Sequence, residues 1–299
     1  MPKEYITTNV YCRRRFGGKV YKLSLSAAET CPNRDGTLGV GGCSFCSVGG
    51  SGDFAAPANL PLLKQIEFAK KRLGKKGEGL KYIAYFQSFS GTYGDLSKLE
   101  NIYTQAALLP EIVALSIATR PDCLSSQALS MIERLTKIKP VWVELGLQTV
   151  NEETAKRINR CFLNNVYERA MKDLSMLDVH RITHVILGLP GEDLSDMLKT
   201  VQYAGKYTDG IKLQLLHVLN GTPLAESYKR GEFNTLTPFE YYETVAAALE
   251  ILPPQVVVHR LTGDGAKKDL IAPLWSADKK RVLNDLNRVL RQHGIVPAK

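Results

Sequence analysis

Long apolar runs are missing from this 299-residue chain, and no stretch approaches the roughly 20 apolar residues that a membrane helix needs. The opening residues, MPKEYITTNVYCRRRF, lack the apolar core of a secretory signal, so a cytoplasmic protein is expected. Cysteine is scarce, six in all, too few to staple a chain of this length as a disulfide scaffold. Neither G-x-x-x-x-G-K-[ST] nor G-x-G-x-x-G occurs, which removes the P-loop and Rossmann readings. There is no low-complexity linker and no repeat of clear period. Acidic residues are outnumbered, 30 against 39 Lys and Arg. The net charge of +9 suits a polyanionic partner such as RNA, and equally a soluble enzyme with lysine-rich helix surfaces.

What is present is globular in kind, with 44% hydrophobic and 23% charged residues and enough length for a substantial core. Short apolar runs alternate with amphipathic stretches, the pattern of βα units and a parallel sheet. Strands are expected at 20–25, 82–86, 114–118, 141–145, 183–187 and 211–216. Helices are expected at 60–73, 96–108, 125–136, 152–159 with 166–177, and 194–203. Six strands with regular crossovers fit an α/β partial (β/α)6 TIM-like barrel better than a closed one. The turn Gly188-Leu189-Pro190-Gly191 stops the fifth strand, and Asp193 or Ser195 starts the next helix. Past about residue 231 the rhythm changes. A helix begins at Thr237-Pro238 and ends before Pro253-Pro254, a β-branched run follows at 256–258, and a last helix covers 277–292. The expected division is a barrel with its N-terminal segment at 1–230 and a C-terminal α/β extension packed on it at 231–299.

Three of the cysteines are grouped. Cys31, Cys43 and Cys46 lie in CPNRDGTLGVGGCSFC, spaced C-x11-C-x2-C. Thiolates are soft ligands and suit zinc and iron–sulfur clusters alike. Zinc needs a fourth ligand, which Cys12 or a histidine would supply, but zinc ribbons usually pair two C-x-x-C knuckles and one is present here. Three thiolates on a cube of four irons leave one iron open for a ligand that is not protein. Cys12, Cys123 and Cys161 read as small core residues. Cys31 follows directly on the first barrel strand, which places the thiols where barrels of this kind build active sites. Gly36, Gly39, Gly41 and Gly42 let the loop wrap closely, and Phe45 is placed to shield a cluster or contact a flat ring. Glu144 and Gln214 are polar groups inside apolar strand runs, and each needs a partner or a lumen to face.

These residues carry a resemblance. CPNRDG…GGCSFC, SIATRPDCL, VELGLQT, HVILGLPGE, KLQLLHVLNGTPL and HRLTGDG…LIAPLW together resemble radical S-adenosylmethionine (SAM) enzymes. The likeness is closest to the YtqA/YhcC-like subgroup related to the catalytic subunit of Elongator, and it runs over nearly the whole length. It implies a 4Fe–4S cluster on Cys31, Cys43 and Cys46, with SAM chelated at the open iron, cleaved reductively, and its 5′-deoxyadenosyl radical abstracting a substrate hydrogen. By similarity Gln148 contacts the cofactor and Arg160 pairs its carboxylate, a task suited to a two-donor fork. Thr119 is placed for the ribose, and Gln87 and Ser88 for the methionine end. The chain departs from the pattern at Ala28-Glu29, before Thr30, and at Cys161-Phe162, after Arg160. Glu29 is expected to alter the cluster's surroundings, and Cys161 is either a substrate-facing thiol or a buried structural one.

The resemblance also implies a tRNA substrate modified at the wobble uridine, in the remodelling of 5-carboxymethylaminomethyl-uridine, with flavodoxin or ferredoxin as electron donor. Basic runs agree: Arg13–Arg15, then Lys70, Lys71, Arg72, Lys75, Lys76 and Lys81, then nine Lys or Arg against four Asp or Glu from Gln255 onward. Tyr5, Tyr11, Phe16 and Tyr21 near the first run are candidates for base stacking, or ordinary core aromatics. Two other functions remain: the same radical chemistry on a small molecule or peptide, and a zinc-stabilised RNA-binding module without catalysis.

Overall fold

Strand and helix alternate along this chain because the apolar residues switch between period 2 and period 3.6. The computed structural model describes residues 2–50, 52–74, 80–263 and 265–299. Lys75 and Lys76 of the expected basic run lie outside them. The chain opens with β1 (Lys3–Thr7) and α1 (Thr8–Phe16). Next come β2 (Val20–Leu25), α2 (Leu62–Leu73), β3 (Lys81–Phe86), α3 (Leu96–Leu108), β4 (Ile112–Thr119) and α4 (Ser126–Thr136). They are followed by β5 (Val141–Gln148), α5 (Glu152–Arg157), α6 (Asn164–Ser175), β6 (Val179–Leu187), α7 (Leu194–Gly205) and β7 (Gly210–Leu215). The remainder holds β8 (Val218–Leu219), α8 (Pro223–Lys229), α9 (Pro238–Ile251), β9 (Val257–Arg260), β10 (Leu270–Ala272), α10 (Lys279–Gln292) and β11 (Ile295–Pro297).

Local chemistry sets the helix limits. In α4, Ser125 accepts from the Ala128 amide at 3.2 Å, and Ala128, Met131, Ile132 and Leu135 form one buried stripe. Asp193, one of the two expected starters, caps α7 in a reciprocal box with Asp196. Thr237 does the same for α9 with Glu240, and Pro238 takes the first helical position.

Nine strands form one parallel sheet in the order β11-β1-β9-β7-β6-β5-β4-β3-β2, and β8 pairs antiparallel with β10. Strands β2 to β7 lie side by side in chain order with helical crossovers, the expected partial barrel. The sheet does not stop there. β9 joins β7, β1 joins β9, and β11 joins β1, so the N-terminal strand is held between two strands of the C-terminal segment. The expected boundary after residue 230 falls between α8 and α9, and the sheet continues across it. Among the described residues no helix is long and apolar enough to cross a membrane.

Candidate functional site

Because side chains alternate along a strand, residues two apart on each barrel strand stack as successive layers in the lumen. The lowest layer is apolar: Val20, Ile83, Ala114, Trp142 and Ile182 pack in one cluster with Cys12 of α1 beneath them. Tyr11 closes the same end, stacked on His180 with centroids 4.8 Å apart and edge-on to Trp142 at 5.8 Å. Cys12 is thus a core residue, as expected.

Two residues further along each strand the layer is charged. Lys22, Tyr85, Ser116, Glu144, His184 and Lys212 come one from each of β2 to β7 and meet at the Glu144 carboxylate. Its Oε1 accepts from Lys22 Nζ at 3.0 Å and Ser116 Oγ at 2.6 Å. Its Oε2 accepts from Lys212 Nζ and lies 2.7 Å from His184 Nε2. Lys212 Nζ also donates to the Tyr85 hydroxyl at 3.0 Å. Burial opposes a charge on Glu144, but the fields of Lys212 and Lys22 and the His184 contact hold its carboxyl well below the usual carboxylate range. Burial, then the charge of Lys212, drops His184 to about 4, so the imidazole is neutral at neutral pH. Burial likewise lowers the Lys212 ammonium pKa, with Lys22 and Arg260 adding to the effect against Glu144.

The third layer, Ser24, Gln87, Ala118, Gly146, Ile186 and Gln214, is small or polar except at Ile186 and lines a cavity of about 370 Å³. That cavity opens at the strands' C-terminal ends. Cys31, Cys43 and Cys46 line it from the loop after β2, and Arg260, Gly263 and Gly265 line it from the C-terminal segment. The amides of Arg34 and Asp35 fold back on the Cys31 carbonyl, and the Cys46 amide donates to the Cys43 carbonyl at 3.0 Å, so each thiol sits on a tight turn. Glycine is required at two points of the wrap. A Cβ on Gly39 would stand 2.4 Å from Asn33 Oδ1, and Gly42, at φ 84°, would press Arg34 Nε at 2.8 Å.

The expected contact residues divide. Phe45, Gln87, Thr119, Glu144, Gln148 and Gln214 line the cavity. Gln87 Nε2 is buried with no hydrogen-bond partner among the described residues, a donor left over for a ligand. Gln148 holds a left-handed conformation, φ 63°, at the end of β5, and the Gly146 and Leu147 carbonyls, each 3.0 Å from one end of its amide, assign the nitrogen to that end by hydrogen-bond complementarity. Thr119 shares its hydroxyl with Thr92 at 2.7 Å. Ser88 is corrected: it is absent from the cavity wall, and its hydroxyl is bonded to Ser26 Oγ at 3.0 Å. Arg160 is corrected too. Its side chain is 1% exposed, and its guanidinium bonds the Leu147, Thr149 and Phe162 carbonyls, Glu152 and Asn164, so the fork is spent inside the fold.

Arg120, at the end of β4, does line the cavity, as does Arg34, and its Nη1 lies 4.0 Å from Cys43 Sγ. Arg120 lies in the motif SIATRPDCL, and Lys212 breaks an apolar strand just as Glu144 does, so both were readable by the same logic. His184, His217 and Arg260 also face the cavity, and nothing local marked them out. Glu29 is exposed and pairs with Lys98 of α3. The Cys161 thiol neither lines the cavity nor is buried, contrary to both readings of it.

The first basic run sits away from the mouth, whereas Arg260 of the last lines it. Arg13, Arg14 and Arg15 form the last turn of α1, next to the N-terminal end of β2, the opposite end of the barrel from the thiols. Tyr5 is core, and Tyr11 is the plug under Trp142. Lys70 is paired with Glu111 at 2.9 Å.

The Radical SAM superfamily model matches residues 29–204, and the Radical SAM C-terminal domain model matches 208–292. The chain is 41% identical over 298 residues to YtqA of Bacillus subtilis (strain 168), covering 99% of this chain and 92% of that one. It is 28% identical over 191 residues to the tRNA uridine(34) acetyltransferase of Methanocaldococcus jannaschii, 61% of this chain and 34% of the other. The solved structure of Methanocaldococcus infernus Elp3 with an N-terminal deletion superposes with a TM-score of 0.68 at 19% identity. That match takes in 92% of this chain and 63% of the Elp3 chain, and it bears out the α/β partial barrel. The chain therefore belongs to the radical SAM superfamily, in its YtqA- and YhcC-like subgroup related to the Elongator subunit, and the superfamily uses a 4Fe–4S cluster and SAM.

Proposed function

We propose that this chain is a radical SAM enzyme that modifies a uridine of tRNA at the wobble position. The observation that carries the chemistry is the thiol triad on one wall of a cavity at the strands' C-terminal ends, with the charged layer as its floor. Cys31, Cys43 and Cys46 would hold the cluster, and Phe45, Gln87, Thr119, Gln148 and Gln214 would contact SAM. When bound, the pair supplies reductive cleavage of the sulfonium and hydrogen abstraction. The residues supply the rest. Gln87 offers an unspent amide donor, and the third layer leaves room above a neutral His184 and an ionised Glu144. The segment at 231–299 completes the wall through Arg260, Gly263 and Gly265.

Support for the uridine comes from two directions. The relative from Methanocaldococcus jannaschii is named for uridine 34 of tRNA, and the match covers 61% of this chain. Phe45, Phe54, Phe89 and Phe162 line the cavity, giving flat apolar faces of the kind on which an extruded base stacks. The net charge of +9 is compatible with RNA, and a flavodoxin or ferredoxin in the cytoplasm is the expected electron source. Mass spectrometry of tRNA nucleosides from wild-type and deletion cells tests the substrate. A changed wobble uridine, restored by the wild-type gene and not by Cys43→Ala, is expected. Identical nucleosides would move the substrate to a small molecule or peptide.

A further inference from the structure

Cys43 is set apart by its neighbours. Asn33 Nδ2 points at its sulfur from 3.5 Å, and Arg120 Nη1 stands 4.0 Å from the same atom. The first is an N–H···S hydrogen bond. The second lies at the outer limit of such contact and acts chiefly through the guanidinium charge, which counts for more in a half-buried wall than in water.

One turn, residues 158–162 between α5 and α6, holds both donors from behind. Asn33 Nδ2 also donates to the Asn159 carbonyl at 2.6 Å, and Asn159 Nδ2 donates to the Gly42 carbonyl at 2.8 Å. The Ser44 amide, next to Cys43, donates to the Ile158 carbonyl at 2.9 Å. Arg120 Nη2 donates to the Arg160 carbonyl at 2.9 Å. Asp122 grips the Arg120 fork at 2.8 and 2.6 Å, which trims its net charge and fixes its plane. The Phe162 ring centre lies 5.3 Å from the Arg120 guanidinium and 4.4 Å from that of Arg160. The turn needs left-handed backbone at Asn159 (φ 54°) and Cys161 (φ 64°). Asn adopts that region readily and Cys does not, so the packing around the buried Arg160 must over-determine it.

We propose that Arg120 and Asn33 are positioning residues that raise the reduction potential of the cluster through Cys43, with the turn at 158–162 as the device that aims them. The inference rests on the reading of Cys43 as a cluster ligand. One-electron reduction adds one negative charge, shared by the ligating sulfurs, and an N–H dipole and a cation beside one sulfur stabilise the reduced form more than the oxidised form. Arg160, which the resemblance set beside the cofactor, acts here through its carbonyl and its anchored side chain.

The test is an EPR-monitored redox titration of the whole chain, reconstituted without oxygen and without SAM, with dithionite as the one-electron donor. The midpoint of Arg120→Gln is expected below wild type, that of Asn33→Ala lower by less, and that of Arg120→Lys close to wild type. Equal midpoints for wild type and Arg120→Gln, at equal iron and sulfide content, would overturn the proposal. Should Arg120→Gln load no cluster, resonance Raman of Asn33→Ala decides. Its Fe–S(Cys) stretches should lose part of the deuterium shift that wild type shows in D2O, and an unchanged shift would count against the inference. A wild-type chain that loads no cluster would overturn both the inference and the ligand reading beneath it.

Discussion

Glu144 collects four donors on two oxygens in the centre of the barrel, and the lysines opposite it, Lys22 and Lys212, depend on that charge. Removing one partner of a buried ion pair leaves the other uncompensated, at a cost of about 3–5 kcal/mol. Glu144→Ala is therefore expected to lose about that much stability in urea unfolding, and Glu144→Gln, which keeps the shape, should lose most of it too. A loss below about 1 kcal/mol would mean that the two lysines find water instead. At this scale the sequence was legible where a side chain contradicted its strand. Glu144 and Gln214 stood out that way, and both line the cavity. It misled where two arginines competed for one task. Arg160 and Arg120 have identical chemistry, and only the path of the 158–162 turn decides which fork faces the cavity and which is spent on carbonyls.

The same contrast holds for whole elements. The limits of α3 and β2 match their apolar patterns, because each carries its own period and α3 also its own cap at Asp95. β1 and α1 went unread, since five residues of KEYIT say little alone and their partners are Val257, Val258 and 295–297, at the far end of the chain. Long-range pairing is invisible to local periodicity. Helix α9 gives a test of the local part: Thr237→Ala removes the hydroxyl half of its capping box and should cost about 1 kcal/mol. In α4, Met131→Ala empties a fully buried position and should cost about 2–5 kcal/mol. Thermal or urea denaturation reads both, and a smaller loss for Met131→Ala than for Thr237→Ala would contradict the packing of α4 on the sheet.

Taken as one molecule, the protein is a charged barrel in which burial holds three histidines, His180, His184 and His259, below the usual imidazole range. Burial brings His180 and His184 from 6.5 to about 4 in the fold, whereas the unfolded chain protonates them near 6.5. Between those values the unfolded state binds more protons, so stability is full above about pH 6.5 and falls as pH drops toward 4. Each histidine contributes up to about 3 kcal/mol to that fall, and Glu144, held low, extends it further into acid. Urea midpoints at neutral pH and at about pH 4.5, with His184→Gln as the control that flattens part of the slope, would show it. The account stands or falls on the thiol triad. The direct measurement is 5′-deoxyadenosine formed from SAM by the anaerobically reconstituted, dithionite-reduced chain. Wild type should release 5′-deoxyadenosine and methionine while Cys43→Ala releases neither, and a fully loaded, reduced wild-type protein that leaves SAM intact would contradict the assignment.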